Sequence, residues 1–405
     1  MKVIRNINSL DKLLEKRRNC KKRIAERVYK IIKNVKERGD DALVEFTKRF
    51  DKVKLSAREL KVTESEISSA FNELNSDLIS AIKLSIDNLY KFYKPQIPKP
   101  ITIREENGKI LKVKYKPIEK LGIYVPAGSA PLVSTVYMSA IPALVAGVNN
   151  IVLVSPPGKN KFLNPFILAV ASMLKIKNIY KIGGAQAIAA LAYGTKTIPP
   201  VDKIVGPGNE FVTEAKRQVF GKVDIDMLAG PSEIVIIAGK RTNVDLIIAD
   251  LEAQIEHRGG LGIVITNSKR IMKELRKSKT EGFAMRVKNL EEAASIVNRI
   301  APEHLEILTR RPSLLLKKIN HSGAIFLGDY SPVALGDYTA GPSHILPTNS
   351  TARFFSSLSV KDFLREIHII NYTKKALIDE LPALEKIATL EGMQKHIESV
   401  KKRLS

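Results

Sequence analysis

One cysteine, Cys20, is the whole thiol content of 405 residues, and tryptophan is absent. A single thiol excludes an intrachain disulfide and any zinc cluster built on cysteines. Cys20 sits in KRRNCKKR, a basic amphipathic stretch outside the glycine-rich middle of the chain. Its cationic neighbours could lower a thiol pKa, but the context is that of an ordinary helix cysteine. No long apolar run exists either: the richest, STVYMSAIPALVAGVNNIVLVSPP, is broken by Pro142 and Asn149-Asn150, so no membrane span is expected. The first twenty residues carry charge where a secretory signal needs an apolar stretch, and a cytoplasmic protein is the expectation. Acidic residues are outnumbered, 42 against 66 Lys and Arg, leaving a formal charge of +24. Such a balance can mark nucleic-acid binding. Here the cations are spread along the whole chain, Lys dominates over Arg, and aromatics make up only 6%. Those features weigh against nucleic acid as a principal partner and leave a milder attraction for anionic ligands such as a dinucleotide.

What is present is an alternation of helix and strand. The first hundred residues hold charged, 3.6-periodic helices, RIAERVYKIIKNVKERGDDALVEFTKRF among them, followed by a hairpin signal around Asn107-Gly108. From about Tyr124 to Ala238 short apolar strands (NIVLVSPP, NIYKIGG, KIVGPGN, SEIVIIAG) alternate with helices, and the alternation continues through LGIVITN and GAIFLG. Strands apolar throughout and separated by helices predict an α/β fold with parallel sheets covered on both faces. The division expected is a helical segment over 1–110 with part of it packing on the second α/β unit, a first α/β domain over 111–230, a second over 231–365, and a polar helical arm over 366–405.

Only six histidines occur. His321 and His368 lie in ordinary surroundings and read as structural. His257, His304, His344 and His396 lie in AQIEHRGG, APEHLEI, GPSHILP and EGMQKHIES. A helix beginning near Asn243 would stack Asp250, Gln254 and His257 in one column and end at Gly259-Gly260. Gln254 and His257 could offer an amide oxygen and an imidazole nitrogen to one metal ion. The alternative is a C-terminal histidine stabilised by the helix dipole, and the pattern alone does not decide. In APEHLEI, Glu303 and His304 form a candidate acid/base pair, or else Pro302 and Glu303 open a helix. In KIVGPGNEFVTEAKRQVFG, the turn Gly206-Pro207-Gly208 precedes a helix whose N-terminus could receive a pyrophosphate, although no G-x-G-x-x-G is present.

Taken in order, GIYVPAG, GGAQAIAALAYGT, KIVGPGN, DMLAGPSE, QIEH, APEHLE, GDYTAGPSHILPT and EGMQKH resemble the histidinol dehydrogenase family over nearly the whole chain. The resemblance implies two incomplete Rossmann-like units, the first on the NAD+ side and the second on the zinc and substrate side. It implies oxidation of L-histidinol through L-histidinal to L-histidine, with one Zn2+ per subunit and NAD+. Gln254, His257, Asp337 and His396 match the zinc ligands, and Glu303 and His304 the acid/base pair. Ser232, His344 and Glu391 match substrate contacts, with the zinc ligands and His304 also facing the substrate. Tyr124, Gln186 and Asn209 match NAD+ contacts. His396 matches a ligand supplied across a homodimer interface, which makes the C-terminal segment a dimerisation arm. The nearest alternative is a paralogue with the same machinery that oxidises another primary alcohol to a carboxylate.

Overall fold

The computed structural model describes residues 1–18, 22–127, 132–257 and 259–405. Cys20 lies outside them, as do Gly128 of the first motif and Arg258. The chain forms two compact units, residues 1–96 with 118–363, and residues 97–117 with 364–405.

The larger unit contains two parallel sheets. The first orders its strands Asn178–Lys181, Asn150–Ser155, Lys120–Tyr124, Lys203–Val205, Asp224–Ile225. Numbered along the chain this is 3-2-1-4-5, the doubly wound order without a sixth strand. The second runs Lys2–Ile4, Phe283–Arg286, Leu261–Thr266, Glu233–Ala238, His304–Leu308, Ala324–Leu327. Setting aside the amino-terminal edge strand, the same order recurs. The central strands are apolar and buried along nearly their whole length, as strands covered on both faces must be.

The amino-terminal segment divides between the two sheets. Strand Lys2–Ile4 and helix Ile7–Arg18 put Ile4, Leu10 and Leu14 into the core of the second. Helix Lys22–Arg38 lays Ile24, Val28, Ile31, Ile32 and Val35 against helices Gly184–Tyr193 and Glu210–Val219 of the first. Helix Val133–Ala146 runs through Pro142 without ending and stops at Gly147, φ +94°. Among the described residues no helix is long and apolar enough to cross a membrane.

Three local expectations are corrected. Helix Val244–Glu256 ends one residue before His257, which is extended and caps it, so the stacked column stops at Gln254. A Cβ on Gly260 would stand 2.3 Å from the Gln254 carbonyl oxygen, and glycine lets the chain fold back that tightly. APEHLEI does not open a helix: the preceding helix ends at Ile300, Ala301 takes a left-handed φ of +50°, and His304–Leu308 is a central strand. The third correction lies in the smaller unit. The expected hairpin pairs Ile101–Arg104 with Ile110–Pro117 around Gly108, φ +86°. A third strand, Leu364–Asn371, pairs antiparallel with Ile110–Pro117, so the carboxy-terminal region is not helical throughout. Helices Lys374–Leu390 and Gln394–Lys401 complete this unit.

Candidate active site

In the first sheet the strand order reverses between Lys120–Tyr124 and Lys203–Val205, and a crevice beyond the carboxyl ends of such strands is where α/β folds bind ligands. Gly206 follows directly, at φ +116°, and a Cβ there would lie 2.1 Å from the Tyr124 carbonyl oxygen. Only glycine fits. The Tyr124 hydroxyl accepts from the Gly184 N–H at 3.2 Å, and burial pushes the phenol up to about 12, so it stays protonated. One turn into the helix that starts at Gly184, Gln186 is 1% exposed with neither amide atom partnered. Asn209 caps helix Glu210–Val219, its Oδ1 accepting from the N–H groups of Phe211 (3.0 Å) and Val212 (3.2 Å).

From Asp226 the chain leaves the last strand of the first sheet and reaches Ser232, just ahead of the first large strand of the second. A cavity of about 360 Å³ lies along this crossing. Pro207, Gly208 and Asp226 line it from the first half; Ser232, His257, Glu303, His304, Asp337 and His344 line it from the second. The first sheet thus presents its carboxyl end and the second its amino end. A larger open groove of about 1030 Å³ beside Arg299 and Arg353 contains none of the candidate residues.

Glu303 and His304 differ in what holds them. Oε2 of Glu303 accepts from the Ser232 hydroxyl at 2.5 Å and from the Glu233 N–H at 2.9 Å. Both bonds favour the carboxylate, but burial outweighs them and pushes its pKa up to about 7. Nδ1 of His304 lies 3.3 Å from the Glu233 carbonyl oxygen. A carbonyl only accepts, so Nδ1 carries the hydrogen and Nε2 keeps its lone pair. Burial lowers this imidazole to about 4, against the opposing pull of Asp337. His344 is held the same way, Nδ1 at 3.2 Å from the Asp337 carbonyl oxygen, and burial also takes it to about 4. Burial raises Asp337, while His304 and His257 act on it in the other direction.

The resemblance-derived ligand set is divided between the two units. Gln254 is buried with its Nε2 unpartnered, one turn before His257, and Asp337 shares the cavity with His257. Among the described residues no three His, Cys, Asp or Glu side chains gather as a metal site; one member of the expected set is a glutamine, and another, His396, lies in the smaller unit. There, His396 and Glu391 line a groove of about 640 Å³ with Tyr372, Leu384 and Met393.

The sequence profile of the histidinol dehydrogenase family matches residues 14–404. The chain belongs to that family. It is 45% identical to histidinol dehydrogenase of Clostridium acetobutylicum over 400 residues, 94% of this chain and 92% of that one. The Bacillus subtilis histidinol dehydrogenase is 44% identical over 395 residues, with 93% and 92% covered. The crystal structure of histidinol dehydrogenase from Elizabethkingia anophelis superposes with a TM-score of 0.92 at 35% identity, covering 100% of this chain and 98% of that one. Membership in the histidinol dehydrogenase family makes the chain an oxidoreductase of histidine biosynthesis. Two residues escaped sequence reading: Asp226, which lines the cavity, and Lys216, buried behind it as its ion-pair partner. A signal existed for the lysine: Val212, Lys216 and Val219 share one helical face, placing it in a buried apolar stripe.

Proposed function

We propose that the chain oxidises L-histidinol through L-histidinal to L-histidine, a four-electron reaction using two NAD+, at a zinc-dependent site in the cavity between the sheets. The observation that carries this reading is the pairing, in one cavity, of a carboxyl raised to about 7 with a neutral imidazole whose Nε2 is free of its backbone partner. The cavity adjoins the glycine turn of the first sheet's crevice.

When bound, zinc would hold and orient the amino alcohol, and NAD+ would accept the hydrides. Gln254, His257 and Asp337 are the ligands proposed from the larger unit. Gln254 is buried one turn before His257, and its amide oxygen would be the ligating atom, the Nε2 being a donor only. His396 is the proposed fourth ligand, given by the partner subunit of a homodimer, with Glu391 beside it on the substrate. Apolar exposure supports an interface on the smaller unit: Leu390 is 88% and Ile387 58% exposed around the His396 groove. Tyr124, Gln186 and Asn209 are the proposed dinucleotide contacts, and Ser232 and His344 the remaining substrate contacts.

His304 Nε2 takes the alcohol proton in the first oxidation and a hydrate proton in the second. Glu303, close to half ionised at neutral pH, takes a proton from the water that adds to the aldehyde. Ser232 keeps the Glu303 carboxyl in place through its 2.5 Å hydrogen bond. No lining residue of the cavity is a cysteine, so the aldehyde passes to the acid through its hydrate rather than a thiohemiacetal.

The test is the number of NADH formed per L-histidinol by the purified protein, before and after chelation and after zinc is restored. Two NADH, abolished by the chelator and recovered with zinc, is the expected result. No turnover with zinc bound moves the reading to another primary alcohol.

A further inference from the structure

The glycine turn at the crevice is held by an ion pair that the reaction scheme does not use. Lys216, on helix Glu210–Val219, and Asp226, just past strand Asp224–Ile225, meet at 2.6 Å with side chains 3% and 1% exposed. Lys216 Nζ also donates to the Gly206 carbonyl oxygen at 2.5 Å, and Gly206 N–H donates to Asp226 Oδ2 at 2.8 Å. Both polar groups of the Gly206 residue are therefore tied to the pair. Pro207 has no N–H, so Gly208 is the first backbone donor beyond the clamp.

The same helix ties down the crossing segment. Asp226 Oδ1 accepts from the Met227 N–H at 2.6 Å, and three residues before Lys216 the Thr213 hydroxyl donates to the Ala229 carbonyl oxygen at 2.9 Å. Three residues beyond Ala229 is Ser232, which holds Glu303. A buried ion pair is a poor device for stability alone, since apolar side chains of similar volume usually serve as well or better. What it does provide is direction, through four charge-assisted hydrogen bonds fixed at once.

We propose that Lys216 and Asp226 are positioning residues for hydride transfer, locking the Gly206–Asn209 turn, on which the dinucleotide rests, to the segment that carries Ser232. This rests on the NAD+ seat assigned above. Neither residue touches the reacting atoms; both act through Gly206 and the crossing segment.

The experiment compares the wild-type enzyme with Lys216→Met and with the double variant Lys216→Met, Asp226→Leu, which removes both buried charges. NADH binding is followed by the dinucleotide's own fluorescence, with KM for NAD+, KM for L-histidinol, zinc content and Tm measured alongside. The expected result is a double variant that folds with a lowered Tm, because backbone groups of Gly206 and Met227 lose buried partners, and that keeps near wild-type zinc content and histidinol KM, but with NADH affinity and kcat/KM for NAD+ at least tenfold lower. A folded double variant with wild-type NAD+ parameters overturns the proposal. One that fails to fold overturns it too, because the pair would then be a determinant of the fold. Failure of the wild-type protein to bind NADH would instead remove the cofactor seat itself.

Discussion

At the scale of single residues, burial sets the protonation states that the site needs, and it also leaves one costly pair elsewhere. Glu306, two residues beyond His304 on the same strand face, is fully buried with neither carboxyl oxygen partnered, and the charge of Asp250 on the Gln254 helix acts on it. Burial first and the Asp250 charge second push Glu306 up to about 9, so its carboxyl keeps a proton at neutral pH. A folded pKa above the unfolded value means that the folded state binds the extra proton. Its stabilising effect is complete below about 4.5 and is lost as pH rises toward 9. Glu306→Gln should therefore flatten the decline of Tm between pH 5 and 9 relative to wild type. Parallel curves for the two proteins would show that the pair carries no linked proton. An amide matches the neutral carboxyl in size and charge, so histidinol oxidation at neutral pH should survive.

At the scale of elements, Asn209 has two separable duties. Its Oδ1 caps helix Glu210–Val219, leaving the amide nitrogen for the proposed dinucleotide contact. Asn209→Ala should cost about 1 kcal/mol of stability, the usual worth of a cap, and weaken NAD+ binding as well. Asn209→Asp keeps the cap and should keep Tm, yet its charge beside the cofactor phosphates should raise KM for NAD+. If the Asp variant binds NAD+ like wild type, the amide is a cap only. Elements of this kind were legible in the sequence where one physical signal dominated. The fully buried strands announced themselves as apolar runs, and Asn107-Gly108 announced its hairpin. Strand His304–Leu308 did not, because its buried face carries His304 and Glu306 in place of aliphatics. Leu364–Asn371 did not either, being exposed along nearly all its length, with no apolar alternation to read. The site itself was legible mainly by resemblance; geometry adds the tautomer of His304, the raised carboxyl of Glu303 and the Lys216 clamp, all products of long-range packing.

At the scale of the whole molecule, the repeated strand order was invisible in the sequence, since the two halves share topology and not residues. The halves also use opposite ends of their sheets. In the second, past the reversal point between Glu233–Ala238 and His304–Leu308, the Gly239 N–H and the Thr242 hydroxyl both donate to the Leu308 carbonyl oxygen. The proposed sharing of His396 between subunits can be tested by mixing two inactive proteins, His304→Ala and His396→Ala. After exchange of subunits, each mixed dimer would hold one site with His304 and the partner-supplied His396 both intact, so about a quarter of wild-type activity should return. No recovery would place His396 in its own subunit's site.

The gathering of Ser232, Glu303 and His304 on one cavity has a temporal consequence. In the proposed scheme one acid/base pair, beside one glycine turn, serves both oxidations. On that reading two hydrides depart in turn from one place, so the first reduced dinucleotide leaves and a fresh one arrives while the half-oxidised aldehyde stays. The lifetime of that aldehyde on the protein has to exceed an entire exchange of carriers, which turns retention, more than hydride transfer, into the demand that shapes the cavity.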